Sequence, residues 1–162
     1  MLLLLFIIPF IASIIAFLSK GISKGIAFFL SLIPLLFLIW NQSNILEASC
    51  NYDWVPTLSI RFHLGVDALS RIFLYIICVI VPISILSEKS ATIYARNFFY
   101  GLILLLQGLL IGFFTARDLF VFTFFWEAML IPLYFLINMW GGKERQNAAF
   151  KFIIYMVAGS TL

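Results

Sequence analysis

The sequence predicts an all-α, polytopic transmembrane helix bundle of about five full helices plus the start of a sixth. Three observations predict it. The 162 residues are 64% hydrophobic and only 10% charged, with mean hydropathy +1.15, whereas a soluble domain carries about 25% charged residues. The apolar residues gather in runs close to the roughly 20 needed to cross a hydrocarbon layer. Charged residues are largely confined to the connections and helix ends. The net charge of +3 therefore speaks to membrane topology and not to nucleic acid.

The helices are placed at 1–18, 25–40, 66–86, 97–115, 118–140 and 147–162, within a single membrane domain spanning 1–162. The first run has no basic region before it; Lys20 and Lys24 follow it, so it reads as a retained helix and not a signal peptide. The second contains Pro34 and is short for a span, so it should borrow residues from its flanks. The stretch 41–64 is the longest polar connection, with Glu47, Asp53, Pro56, Arg61 and His63. The third helix is opened by Asp67 and closed by the turn Ser87–Glu88–Lys89–Ser90. Asp67 and Arg71 are spaced i,i+4 in the favourable order for a helix-end ion pair. The fourth carries Gly101, Gly108, Gly112 and Thr115 on one face, a small-residue packing surface. The tight turn Thr115–Ala116–Arg117–Asp118 leads into the fifth, which Gly141–Gly142 should end with a glycine cap. From Ala148 to Leu162 there are 15 residues, short of a span, so an incomplete or split architecture is expected. A short sixth helix ending at a thinned or buried site is the alternative.

Loops one, three and five hold Lys20, Lys24, Lys89, Arg96, Lys143, Arg145 and Lys151. The opposite side holds Arg61, Arg71 and Arg117. The excess of basic residues places the odd loops on the cytoplasmic or matrix side and the amino terminus on the other. Asn41–Gln42–Ser43 matches a glycosylation sequon, with chance as the better explanation. Cys50 and Cys78 stand in different settings, so no disulfide is expected between them, and neither has metal-ligand spacing. His63, the one histidine, reads as a loop or interface residue. The chain has no nucleophile–base arrangement, phosphate loop, dinucleotide fingerprint or metal cluster. Hydrolytic or redox catalysis by this chain itself is not expected.

The residue that stands out is Glu127, in the run DLFVFTFFWEAMLIPLYFLINMW from Asp118 to Trp140. At helical rise it lies about 14 Å from Asp118 and about 20 Å from Trp140. Glu127 therefore stands well inside a layer about 30 Å thick. An ionisable group there is costly without a partner or water, which makes it a functional-site candidate. Thr123, Glu127, Tyr134 and Asn138 fall within about 60° of one another on a helical wheel, while Pro132 and Asp118 point roughly the other way. One reading of this polar stripe is a proton or ion path with Glu127 as the titrating member. Burial favours the protonated form of a carboxyl group and a neighbouring cation favours the ionised form. The other reading is a structural glutamate bonded to a neighbouring helix. Lys151, one turn into the sixth helix beside Tyr155, Ala158 and Gly159, either snorkels to the basic interface or acts as a cation on a buried carboxylate.

Two segments resemble a known family. HLGVDALSRIFLYI (His63 to Ile76) resembles the G-x-D-x-L-S segment that opens a helix in proton-pumping subunits of respiratory NADH dehydrogenase (complex I). FFWEAMLIPLYFLINMWGGKERQNAAFKFIIYMVAGS (Phe124 to Ser160) is similar to subunit 4 of that complex and its bacterial M counterpart. Residues 1 to 60 match only as hydrophobic helices. The resemblance implies the first portion of an antiporter-like fold, covering about a third of such a subunit. It implies a role in coupling quinone reduction by NADH:ubiquinone oxidoreductase to proton translocation. Glu127 matches a proton-channel glutamate whose partner is a lysine on a later broken helix beyond this sequence. Lys151 matches a recurring lysine. No cofactor is implied in this chain; NADH, FMN, iron–sulfur clusters and quinone belong elsewhere in the complex. The implied partners are other membrane-arm subunits, lipids and a second chain supplying the remaining helices, with no nucleic acid. The implied site is the mitochondrial inner membrane, or a bacterial inner membrane, with the amino terminus toward the intermembrane space or periplasm. A related multi-subunit cation/proton antiporter, or a non-transporting structural or assembly piece, are the rival expectations.

Overall fold

The computed structural model describes residues 2–19, 21–42, 45, 49–55, 60–88 and 94–161. Six helices follow in order: α1 (Leu2–Leu18), α2 (Lys24–Trp40), α3 (Ala68–Ser87), α4 (Arg96–Thr115), α5 (Leu119–Trp140) and α6 (Arg145–Thr161). They match the predicted spans to within two residues at each end. α3, α4 and α5 are long and apolar enough to cross a membrane; α1 and α2 are apolar helices of 17 residues each. Lys20, Glu47, Pro56, Lys89 and the serine of the sequon lie outside the described residues.

Each boundary has a local cause. Ser23 and Asp67 cap α2 and α3 by accepting the backbone N–H three residues on. Asp118 caps α5 by accepting from Phe120 and Val121. At the far end of α3, the Lys24 ammonium donates to the carbonyls of Leu86 and Glu88, which satisfies acceptors that a helix end leaves bare. Pro9, Pro34, Pro82 and Pro132 sit inside helices and are buried, as a membrane helix tolerates when its neighbours supply the lost contacts.

The centre of the bundle is α4, packed against α1, α3 and α5 in turn. Its glycine stripe does not bring backbones together; it seats phenylalanine rings. A Cβ at Gly101 would come 2.6 Å from Phe17, one at Gly108 2.8 Å from Phe10, and one at Gly112 2.7 Å from Phe125. Dispersion between closely fitted surfaces is what holds helices together where the solvent is lipid. Ser13 of α1 adds a buried hydrogen bond to the Gly101 carbonyl at 2.9 Å.

Three expectations need correction. The long polar connection contains an antiparallel hairpin, β1 (Ser49–Val55) and β2 (Ile60–Gly65). Tyr52 pairs across from Phe62, and Asp53 from Arg61 as an ion pair at 3.3 Å. The hairpin lies at the same end of the bundle as the α4–α5 turn. The Arg117 N–H donates to the His63 carbonyl at 2.8 Å, and Trp54 stacks edge-on to Phe120 and Phe124. Second, Asp67 pairs with Arg117 at 3.5 Å, not with Arg71, because the tight α4–α5 turn carries Arg117 over the start of α3. Third, Gly141 is not left-handed: its φ is −67°. It is glycine because a side chain there would collide with the Ile137 carbonyl, whose oxygen accepts the Gly141 N–H at 2.9 Å.

The α1–α2, α3–α4 and α5–α6 connections share the opposite end, so Lys24, Arg96, Lys143 and Arg145 collect there. Tyr94 and Trp140 tie that end together. The Tyr94 hydroxyl donates to the Met139 carbonyl and the Trp140 indole N–H to the Tyr94 carbonyl. Cys50 and Cys78 are both buried and free.

Candidate functional site

α5 and α6 form an antiparallel pair at the edge of the bundle, folded over the Gly141–Gly142 turn. The register of this pair decides what Glu127 meets. The Ser160 hydroxyl donates to Glu127 Oε1. The same hydroxyl lies 3.0 Å from the Val157 carbonyl. One proton cannot serve both acceptors fully, and that is chemically useful. With Glu127 ionised, Ser160 donates to the carboxylate. With Glu127 protonated, the carboxyl can donate to Ser160 Oγ while Ser160 turns its own proton to Val157. The pair can therefore hold either protonation state with every donor used.

Glu127 is half-buried, and a groove of about 430 Å³ runs beside it along the α5–α6 seam. Thr123, Trp126, Tyr155 and Ser160 line that groove. Thr123 donates to the Leu119 carbonyl at 2.9 Å, one turn back on its own helix. Thr123 and Glu127 thus face α6 together. Tyr134 and Asn138 are half-buried further along α5, about 10 Å and about 16 Å from Glu127 at helical rise. Tyr134 packs edge-on against Phe135. Lys151 is exposed. It lies nine residues before Ser160, so its backbone is about 14 Å from the level of Glu127 and closer to the level of Tyr134 and Asn138. The five candidate residues therefore form two tiers, Glu127 with Thr123 in the middle and Lys151 with Tyr134 and Asn138 toward the basic end.

Ser160 is the contact that sequence reading did not single out. A coarse signal existed: folding α5 onto α6 about the Gly141–Gly142 turn brings Glu127 to the last two turns of α6, where Ser160 stands. Among the described residues no cluster of three His, Cys, Asp or Glu side chains could hold a metal.

Comparison with known proteins fits this geometry. The family described as NADH:quinone oxidoreductase/Mrp antiporter, transmembrane, matches residues 116–162, which contain α5, α6 and the Glu127–Ser160 contact. The F(420)H(2) dehydrogenase subunit M of Methanosarcina mazei is 35% identical over 94% of this chain and 32% of its own length. The chloroplast NAD(P)H-quinone oxidoreductase chain 4 of Chara vulgaris is 38% identical over 67% of this chain and 22% of its own. A chain of respiratory complex I from Thermus thermophilus superposes with a TM-score of 0.86 at 28% identity, over 99% of this chain and 33% of that one. This chain thus spans about a third or less of the proteins it matches. Residues 116–162 match the NADH:quinone oxidoreductase/Mrp antiporter transmembrane family, and the chain as a whole is similar to part of the subunit M and chain 4 proteins.

Proposed function

We propose that this chain is part of a proton-translocating membrane-arm subunit of an NADH:quinone oxidoreductase-type respiratory complex, with Glu127 as a proton-carrying carboxylate. The observation that carries the reading is the position of Glu127. It is an ionisable group halfway along an apolar span, at a seam open on one side, with a hydroxyl partner that tolerates both of its protonation states. The helices that members of this family carry beyond the matched third, in this polypeptide or a second chain, would cover the α5–α6 edge. A lysine there would favour the ionised form of the carboxylate. Thr123 shapes the seam, while Tyr134, Asn138 and Lys151 would extend the polar stripe toward the basic end.

Redox chemistry and its cofactors belong to other subunits in this reading, so the chain takes part in the oxidoreductase without touching NADH or quinone. The membrane is an energy-coupling one, the mitochondrial inner membrane or its prokaryotic counterpart; the similar proteins named above are archaeal, chloroplast and bacterial. The collection of basic residues at the odd-loop end supports an amino terminus on the outer side. Replacing Glu127 by Gln in the assembled complex should sharply reduce protons pumped per NADH oxidised.

A second reading, a subunit of a multi-subunit cation/proton antiporter, is supported by the same family match. Affinity purification separates the two: flavin and iron–sulfur subunits should accompany the chain in the first case and be missing in the second.

A further inference from the structure

A cavity of about 560 Å³ opens between α1, α5 and the hairpin, apart from the α5–α6 seam. Aromatic rings fix its walls. Phe125 is seated against Gly112, and Phe6 stands edge-on to it with ring centroids 5.3 Å apart. At the hairpin, Trp54 is edge-on to Phe62 at 6.2 Å and to Phe124 at 5.8 Å. Tyr52 and Trp54 are exposed, as aromatic side chains are where a membrane meets its headgroups.

The cavity runs inward from that level. Ala128, which lines it, lies nine residues past Leu119, about 14 Å along α5. That is close to half of a hydrocarbon layer about 30 Å thick. Apart from Asp53, the residues lining it are apolar or aromatic. Such walls offer water few hydrogen bonds, and a void beside them forfeits dispersion contacts. Hydrocarbon is the filler that suits them. The volume is that of a small-molecule site. A helix about 10–12 Å across needs at least about twice that volume over the same depth. A flexible acyl chain therefore fits where a further helix does not.

Charge sits at one end only. Among the described residues Asp53 is the one charged residue lining the cavity, and it pairs with Arg61 at 3.3 Å. Both side chains are exposed at the hairpin. A headgroup carrying an ammonium and a phosphate complements this pair, amine to the Asp53 carboxylate and phosphate to the Arg61 guanidinium. A headgroup with a phosphate alone would gain Arg61 and meet the carboxylate of Asp53.

We propose that this cavity binds one acyl chain of an amine-bearing phospholipid from the hairpin-side leaflet, with the headgroup on Asp53 and Arg61. The chain fills the gap between α1 and α5 down to the middle of the membrane.

The site does not depend on the role of Glu127, and its readout is lipid labelling and not pumping. The assembled complex that contains the chain is reconstituted into phosphatidylglycerol vesicles with a trace of phosphatidylethanolamine carrying a photoreactive diazirine at the end of one acyl chain. Adducts are located by peptide mass spectrometry. Label is expected on cavity residues, Phe10, Phe124 and Ala128 among them. Replacing part of the phosphatidylglycerol by unlabelled phosphatidylethanolamine should lower that label at least threefold. Label on Ile11, exposed on α1 and outside the cavity, should not change. Ala128→Phe, which fills the cavity, and the double change Asp53→Asn with Arg61→Gln should each lower the cavity label by a similar factor. The double change is on the surface, so it decides the matter if Ala128→Phe fails to assemble. No cavity label in the assembled wild type, or label that neither competes nor responds to the double change, overturns the site. Density from another polypeptide segment filling the cavity in the assembled complex overturns it as well.

Discussion

α4 and α5 are neighbouring helices joined by a tight turn, and they solve the problem of a mid-membrane polar residue differently. Ten of the 20 residues of α4 are buried, but only five of the 22 in α5. At the same depth α4 carries Gln107 and α5 carries Glu127. The closed position holds a neutral amide, bonded to a neighbouring backbone. The half-open position holds the carboxylate. Burying an isolated charge costs far more than burying an amide, so the ionisable group stands where a hydroxyl, water or a further helix can reach it.

The contrast can be broken most severely at the packed side. Gly108→Leu forces a side chain into the rings of Phe10 and Pro9. Overpacking of this kind costs about 1–3 kcal/mol or more, and here neither α1 nor α4 can withdraw without losing its other contacts. The subunit should fail to accumulate in the complex, as immunoblots of native gels would show. The equivalent change at Gly159, which has nothing within 4 Å of a Cβ, should leave assembly of the chain's own helices intact.

Ser160→Ala probes the open side with a smaller effect. It removes one hydrogen bond to a charged group, worth about 1.5–3 kcal/mol. Pumping should fall several-fold with assembly preserved, because the change removes a single hydroxyl and leaves the helix packing in place. Ser160→Thr, which keeps the hydroxyl, should restore most of it. Equal pumping in the Ala and Thr variants would remove Ser160 from the mechanism.

The smallest effect belongs to the hairpin end. The Ser70 backbone and side chain, and then Arg117, hold the Asp67 carboxyl below its ordinary range. A lowered folded-state value means that Asp67 contributes stability above the ordinary carboxylate pKa, about 4, and loses it as pH falls through the lowered one. Asp67→Asn should therefore lower the melting temperature slightly at neutral pH. The difference from wild type should close in acid; a difference that persists there would point to packing and not to charge.

The bundle was legible because lipid leaves so few choices: apolar runs of spanning length separated by charged turns define helices almost without regard to detail. The glycine face of α4 was legible for the same reason, although not that it seats Phe10, Phe17 and Phe125. The hairpin was harder. Its signal is the alternation Cys50–Tyr52–Trp54 and Phe62–Leu64, period two on each strand, submerged in a stretch whose polar composition suggests a loop. Glu127 announced itself by cost. Ser160 and the buried Gln107 did not, since serine and glutamine are cheap in sequence and acquire meaning only from register between helices apart in the chain.

The most direct test of the account compares Glu127→Gln with wild type in the purified, fully assembled complex reconstituted into vesicles. Proton uptake and NADH oxidation are measured in the same sample. The account predicts a sharp fall in protons per NADH with a normal amount of complex. An unchanged ratio in the assembled variant, or a loss of complex with normal pumping in what remains, would make Glu127 a structural residue and contradict it.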